Sequence, residues 1–418
     1  MMDRADPAST PPQPLILIAG AGIAGLAAAI ALARTGRAVT VFEKRRDASE
    51  EGAGIQIGPN GTRILHELGV APHLLGTVAT PESIRVMDGL SGRELTRLPL
   101  GQDIARRHGA PYWVVHRADL HAALRQTAAS LPSITLRLGA EVKDATTAAG
   151  SVTARLADGE EMRGSALLAA DGLWSKLRAN VMGSPGLVFT GKCAFRTVLP
   201  ASGLPAGISQ RDTTIWLRPA AHVVHYPVRA GRELAVVAIF DDRELGETWA
   251  GDVPAQTIAS RAAAFPQPLR DLLLQTAAWR QWSLYRPSAP TRWIQDRIAL
   301  IGDAAHPPLP FLAQGGVMAL EDAVVLAALL DGAPAHEIPG RLAAYERVRR
   351  PRTTEVMEAS ARNGQAYHLD GVIRSARNAL LSAMPPRLLM RQYDWLYGWT
   401  PETALRNARI PAGTAPAR

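Results

Sequence analysis

The chain has 418 residues, 47% hydrophobic and 20% charged, enough apolar material for a large core and ordinary for an enzyme of two domains. Its formal net charge of +8 is carried by scattered arginines, with lysine only at positions 44, 143, 176 and 192, and the densest basic clusters, Lys44-Arg45-Arg46 and Arg347 to Arg352, have no interleaved aromatics, which argues against a nucleic-acid stripe and leaves a mild attraction for small anions. The single Cys193 excludes an internal disulfide framework and a cysteine-based metal cluster.

Met1 to Pro14 reads as a polar, Pro-rich leader expected to be disordered, and no apolar segment with a cleavage site precedes Leu15, so the expected location is the cytoplasm. The segment that follows, LILIAGAGIAGLAAAIALARTGRAVTVFEK from Leu15 to Lys44, begins apolar enough to suggest a membrane span of roughly 20 residues. Its glycines argue otherwise. Leu15 to Ala19 suits a strand buried on both faces, and Gly20, Gly22 and Gly25 follow at G-x-G-x-x-G spacing. An Ala-rich helix then runs to Thr35-Gly36, and a second strand, Ala38 to Phe42, closes on Glu43. Such a βαβ unit has a physical use for each special residue. Gly20 allows the tight turn, Gly22 lets a pyrophosphate approach the backbone at a helix N-terminus, Gly25 lets helix pack on strand, and Glu43 can accept from a ribose hydroxyl.

Further along, Gly52 to Asn60 is expected to be a Gly-rich loop before a helix from Gly61 to Leu68. Strands are expected at Ile84 to Val86 and Glu94 to Leu98, and a helix from His116 to Ser130. More strands follow at Ile134 to Leu138, Val142 to Ala145 and Val152 to Leu156, then a turn at Asp158-Gly159 and a buried strand at Ala166 to Ala170 that stops on Asp171-Gly172. Strand-like runs then crowd together, Cys193 to Leu199, Thr213 to Leu217, His222 to Val228 and Leu234 to Phe240, with helices at Pro254 to Ala264 and Leu269 to Thr276. They read as a second domain inserted into the first. The first domain returns with Arg297 to Asp303, a strand ending on an acid, and a helix from Gln314 to Leu330. Long helices over Gly340 to Gly364 and Gly371 to Tyr397 lead to a frayed end, Pro411 to Arg418.

Three motifs now stand where open α/β sheets place ligands, at strand C-termini: Gly20 to Gly25, LLAADGLWSKLR (Leu167 to Arg178) and IGDAAHPPLPFLAQGG (Ile301 to Gly316). In this order and spacing they resemble the class A FAD-dependent aromatic monooxygenases, the family of salicylate hydroxylase and p-hydroxybenzoate hydroxylase. The likeness runs from Leu15 to about Arg374. It implies an α/β fold with an FAD-binding Rossmann-like domain of the p-hydroxybenzoate hydroxylase type, an inserted β-sheet substrate domain and C-terminal helices. The expected division is a leader at 1–14, the FAD-binding domain at 15–82, 108–182 and 287–370, the substrate domain at 83–107 and 183–286, and a helical segment and tail at 371–418.

By that resemblance Gly20, Gly22 and Gly25 hold the FAD pyrophosphate, Glu43 and the adjoining Lys44 the adenosine ribose, and Arg117 the flavin side chain and phosphates. Asp171 belongs to a motif associated with both FAD and NAD(P)H. Gly302 and Asp303 bind ribityl or ribose hydroxyls, and Gly315, Gly316 and Val317 bring backbone N–H groups to the flavin's pyrimidine edge, where a helix N-terminus stabilises negative charge. NADH or NADPH is the expected electron donor; the family has no second Rossmann domain, and none is visible here. The implied chemistry passes through a flavin C4a-hydroperoxide whose distal oxygen, derived from O2, is attacked by an electron-rich ring.

Ionising the phenol makes the ring a better nucleophile, so a base of near-neutral pKa suits the task. His222 and Tyr226 are the candidate catalytic residues. In a strand they share a face with Val224 while His225 points away, and the resemblance puts a phenol-activating histidine at His222, with Tyr226 beside it as a hydrogen-bonding partner. The plain alternative for His222 is a strand histidine satisfied by its neighbours. His306, in Asp-Ala-Ala-His-Pro, is expected to fix its loop. Gln56 stands where the 6-hydroxynicotinate branch has a histidine, and Pro310 where the 3-hydroxybenzoate branch has a catalytic glutamine, so the reading is salicylate-hydroxylase-like: a small phenolic or pyridinic aromatic acid. No metal site, nucleic acid or membrane span is expected, and a homodimer only by family analogy. An FAD-dependent oxidase or reductase that inserts no oxygen is the second reading, and a non-catalytic binding protein on the same scaffold the third.

Overall fold

The computed structural model describes residues 14–47, 54–184, 186–242, 250–276 and 278–408. The leader, Gly52-Ala53 and the frayed end from Pro411 fall outside them, save Pro14.

Ile16–Ala19 is a run of apolar residues buried at every position, and such a run belongs in the middle of a sheet covered on both faces. It pairs in parallel with Val39–Glu43 on one side and Ala166–Ala169 on the other. Ile134–Leu138 extends the sheet beyond the first, Ile298–Leu300 beyond the second, and antiparallel Ile294–Gln295 forms the edge. The helix Ile23–Arg34 has ten buried residues and is alanine-rich, so it lies close against both the sheet and the helix Gly315–Leu330. Among the described residues no helix is long and apolar enough to cross a membrane; the apolar opening segment divides into a short strand, a glycine turn and this helix.

A second sheet of eight strands among the described residues runs in the order Ala250–Pro254, Ala278–Pro287, Leu187–Pro200, Glu233–Asp241, Ala221–Val228, Thr213–Arg218, Ser83–Asp88 and Glu94–Pro99. All its pairs are antiparallel except Thr213–Arg218 with Ser83–Asp88. One face carries a core of Phe195, Trp216, Val223, Val236 and Ala238 under the helices Ala255–Ala262 and Leu269–Leu274. The other face looks toward the first sheet.

Several elements differ from the sequence expectation. Gly54–Ile57 is a strand paired with Trp113–His116 rather than loop, and the helix after it, Pro59–Glu67, starts two residues early with proline in its first turn. The expected helix over Gly371 to Tyr397 is three short ones, Gly371–Ala383, Pro386–Arg391 and Asp394–Tyr397, because Pro385-Pro386 cannot continue it. Gly101–His108 is a helix and Ala278–Pro287 a ten-residue strand, neither foreseen.

Candidate active site

Between the C-terminal ends of the parallel strands and the open face of the antiparallel sheet lies a cleft with about 1320 Å³ of unfilled space, part of it continuous with solvent. Gly22, Arg117, Asp303, Gly315, Gly316, His222 and Tyr226 all line it, so residues far apart in the chain meet on one surface. Gly20, Gly25, Glu43, Lys44, Asp171, Gly302 and Val317 are not among its lining residues.

At the dinucleotide end, Gly20 has φ of +105°, and a Cβ there would lie 2.4 Å from the Ala170 carbonyl oxygen; a Cβ on Gly25 would lie 1.9 Å from that of Gly20. No side chain fits either place without moving backbone. Glu43 ends its strand with one carboxylate oxygen accepting from the Ala21 N–H at 2.9 Å and the other from the Arg45 N–H at 3.0 Å. It thereby clamps the turn, and each oxygen keeps a lone pair for a ribose hydroxyl. Lys44 beside it is exposed and lies outside the lining of the cleft.

Two carboxyls flank the middle, Asp171 half-buried and Asp303 exposed to the cleft. Asp171 accepts from the Leu177 N–H at 3.3 Å through one oxygen, while the other is buried with no partner, and burial pushes its pKa up. Asp303 is likewise raised, by desolvation within the cleft, against the opposing pull of Arg117, His306 and Arg178. Gly302, one residue before it, donates its N–H to Asp322 at 2.9 Å. His306 binds the same Asp322 oxygen at 2.7 Å, so it ties its loop to the helix Gly315–Leu330. The orphaned carboxylate oxygen of Asp171 calls for a hydroxyl donor from a ligand.

The helix that opens at Gly315 has Gln314 at its N-cap without a side-chain cap bond, which leaves first-turn N–H groups for an anionic ligand edge. A Cβ on Gly316 would meet Ile55 at 2.9 Å, and Val317 is buried in the first turn. Glycine cradle, ribose acceptor, orphaned carboxylate and uncapped helix together fit an FAD extended along the cleft. Behind the helix, Glu321, Asp322 and Arg349 are fully buried and joined at 2.7 and 2.8 Å, with Arg352 on Glu321 at 3.0 Å.

The opposite wall is the antiparallel sheet. Pairing puts His222, Ile239 and Ala194 in one row and Val224, Val237 and Arg196 in the next, with Tyr226 one row further. His222 is 2% exposed, and burial, helped by the charges of His368 and Lys192, pushes its pKa well below the usual imidazole value. Its ring nitrogen partner is His368, with Nδ1 to Nε2 at 2.8 Å. The expected hydrogen bond to Tyr226 is not made: four residues along a strand is about 13 Å, and the Tyr226 hydroxyl instead donates to the Gly54 carbonyl at 2.8 Å. The rings of Phe311 and Tyr367 stand 5.5 and 5.2 Å from that of His222 and fix its plane.

Sequence reasoning missed two residues here. Arg196 lines the cleft with its guanidinium 4.9 Å over the Trp282 ring, its Nε buried without a hydrogen-bond partner and its pKa lowered by burial. A lone arginine inside the otherwise apolar run Cys193 to Leu199 was the available signal. His368, at the end of the helix Ile338–Tyr367, carried none, because its partners come from elements distant in sequence.

A family model described as an FAD binding domain matches residues 15–360. The 3-hydroxybenzoate 6-hydroxylase of Klebsiella oxytoca is 35% identical over 392 residues, which cover 93% of this chain and 98% of that one. The 3-amino-4-hydroxybenzoate 2-monooxygenase PtnB3 of Streptomyces platensis is 34% identical over 389 residues, 93% of this chain and 96% of that one. Among solved structures, a salicylate hydroxylase substrate complex matches with TM-score 0.81 at 26% identity, covering 96% of this chain and 100% of that chain.

Proposed function

Since the chain belongs to the family of FAD-dependent aromatic monooxygenases, we propose that it hydroxylates a benzoate-type acid with its phenolic hydroxyl meta or para to the carboxylate. The observation that carries this reading is the placement of His222 and Arg196 on one sheet face, two strands and two residues apart, with Val237 and Ile239 between them. That is about 12 Å between backbone positions. Side chains reaching inward from those two points can grip two separate groups on one ring. An ortho hydroxyl would spend its proton on the neighbouring carboxylate and present a single polar end, which uses the pair less well.

Bound FAD, reduced by NADH or NADPH, supplies the electrons that activate O2. The chain's own residues do the rest. The Arg196 guanidinium receives the carboxylate and so recovers part of the hydration that burial removed. His222, kept neutral by burial, takes the phenol proton at Nε2, the ring nitrogen that His368 leaves free. Val224, Val237 and Ile239 support the ring and exclude water. Glu43, Asp171 and Asp303 hold ribose and ribityl hydroxyls, and the Gly315–Leu330 helix N-terminus holds the flavin edge. The same reading divides the chain into flavin segments at 15–82, 108–182 and 287–370 and substrate segments at 83–107 and 183–286. By family analogy it adds a cytoplasmic homodimer, which light scattering would check.

The test is NADH and NADPH oxidation by the FAD-loaded protein over the three hydroxybenzoates and their amino derivatives, with products identified by mass spectrometry. Gain of one oxygen by a meta or para isomer is expected. Hydrogen peroxide alone with every compound would return the oxidase reading, and turnover of salicylate in preference to its isomers would overturn the role given to the His222–Arg196 spacing.

A further inference from the structure

The side of His222 turned away from the cleft is wired. Its Nδ1 faces His368 Nε2 at 2.8 Å, and His368 Nδ1 faces the Asp241 carboxylate at 2.9 Å, while Lys192 pairs with the same Asp241 oxygen. The His368 side chain is 6% exposed and that of Asp241 39%, so the line runs from a buried ring to the protein surface. We propose that His368 and Asp241 are positioning residues that fix the tautomer of His222 and hold the substrate's proton during turnover. This rests on the reading of His222 as the phenol base.

The hydrogen bonds set the direction. An ionised Asp241 can only accept, so His368 carries its proton on Nδ1 and its Nε2 accepts. His222 must then carry its own proton on Nδ1, which leaves the Nε2 lone pair toward the cleft. Lys192 lies 3.3 Å from His368 Nδ1, but that nitrogen already donates; the ammonium is satisfied by Asp241 instead. Burial raises the Asp241 pKa, yet its bonds to His368 and Lys192 outweigh that and hold it below the usual carboxylate value, as an acceptor must be. Tyr367, the remaining titratable group against His222, is a phenol pushed above its usual range by burial and stays neutral. Arg196 stands in the next row of the sheet, about 12 Å away by backbone positions, and the charges that act on His222 are His368, Lys192 and Asp241.

The Asp241 carboxylate, bonded to His368, gives the arrangement its use. When the phenol O–H bond breaks, its proton forms a bond to His222 Nε2, and the proton on His222 Nδ1 passes to His368 Nε2. The cation then sits on His368 against the Asp241 carboxylate, and the phenolate stays in the cleft. After the ring has gained oxygen, the proton on His368 Nε2 returns to His222 Nδ1 and Nε2 releases its own to the product oxygen. Each nitrogen regains its starting state, and no outside acid or base is consumed.

Two measurements on the FAD-loaded protein test this. The first titrates bound 3-hydroxy-4-nitrobenzoate, whose ionisation is visible as colour, in wild type, His222→Ala, His368→Phe and Asp241→Asn. The midpoint should rise by about one pH unit, a tenfold change, in the His368 and Asp241 variants, and by more in His222→Ala. If only His222→Ala moves it, the relay is wrong and the base stands; if none moves it, the base reading fails as well. The second needs no ligand: nitrogen-15 spectra of the histidine rings should show His222 protonated at Nδ1 in wild type and at both nitrogens in exchange in His368→Phe. Protonation at Nε2 in wild type overturns the proposal whatever the probe does.

Discussion

Arg196 is a guanidinium stripped of water by burial on a sheet face it shares with Arg280, His222 and Tyr226, and a cation so placed gains more from an incoming carboxylate than one in water. A hydrogen bond to a charged partner contributes roughly 1.5–3 kcal/mol, so Arg196→Ala should weaken binding of a hydroxybenzoate by roughly 10- to 150-fold. Phenol itself, lacking the carboxylate, should bind wild type and variant alike in equilibrium dialysis. His222 gives a prediction in pH. Its pKa is lowered, so it is a competent base above that value and fails only as pH falls through it; the acid limb of hydroxylation in wild type should lie below about 6.5, the ordinary histidine value. In His222→Ala the limb should move up toward the ionisation of a free phenol, near pH 10. Stopped-flow rates across pH read both, and coincident profiles would remove His222 from the mechanism. Strand alternation puts His222 on the face of Val224 and Tyr226, and the family resemblance suggests its role. That its bonded neighbour is His368 and not Tyr226 could not be read, since alternation says nothing about which helix end arrives from elsewhere.

The helix Gly315–Leu330 shows what an element must satisfy beyond its own residues. Glu321 and Asp322 are carboxylates in its buried interior, tolerable because Arg349 from the helix Ile338–Tyr367 bridges both while Arg352 pairs with Glu321 and His306 with Asp322. Arg349→Met would leave Glu321 to Arg352 and Asp322 to His306 and the Gly302 N–H, with the bridge between them gone, and breaking a buried pair costs up to about 3–5 kcal/mol. Urea unfolding of the FAD-loaded protein should show that loss, whereas a substitution at the exposed ion pair of Arg155 with Glu161 should cost almost nothing. In the turn that follows the strand Ile298–Leu300, Asp303→Ala should loosen FAD, measured as flavin released on dilution; full occupancy at nanomolar protein would contradict the assignment. Elements were legible in sequence where the pattern was clean, as in Ile16–Ala19 or Ala221–Val228. The strand Ala278–Pro287 was not, because its inward positions carry Trp279, Gln281 and Ser283, a mixture in which apolar alternation disappears. Gly54–Ile57 was hidden by its glycine: Gly54 is there because the Tyr226 ring leaves room for no Cβ, not because the chain turns.

At the scale of the whole molecule, acid should open the structure through the same buried cluster. Burial alone would raise the Asp322 pKa, but His306 and Arg349 pull it down to about 2. Since this is below the value of about 3.9 in an unfolded chain, the stabilisation is complete above that value and is lost as pH falls toward 2. It amounts to roughly 2–3 kcal/mol. The unfolding free energy should therefore drop over that interval, and the drop should be smaller in Arg349→Met, whose Asp322 is already less stabilised. The two-sheet plan was legible because three glycine-bearing motifs at strand ends have few other uses. What joins the sheets was not: the cleft exists only where their faces meet, and each face was read separately.

The parallel pairing of Thr213–Arg218 with Ser83–Asp88 bears on how the protein is made. On the ribosome the hairpin Ser83–Pro99 emerges long before its neighbour, and until Thr213 follows, Ile84, Val86 and the unpaired backbone of that strand face whatever is nearby. Non-local pairing of this kind is slow and offers an open strand edge to other nascent chains. Expression yield should thus respond more to slowed translation and chaperone supply than the stability of the finished enzyme would suggest, and chains arrested before residue 213 should be the species found in aggregates.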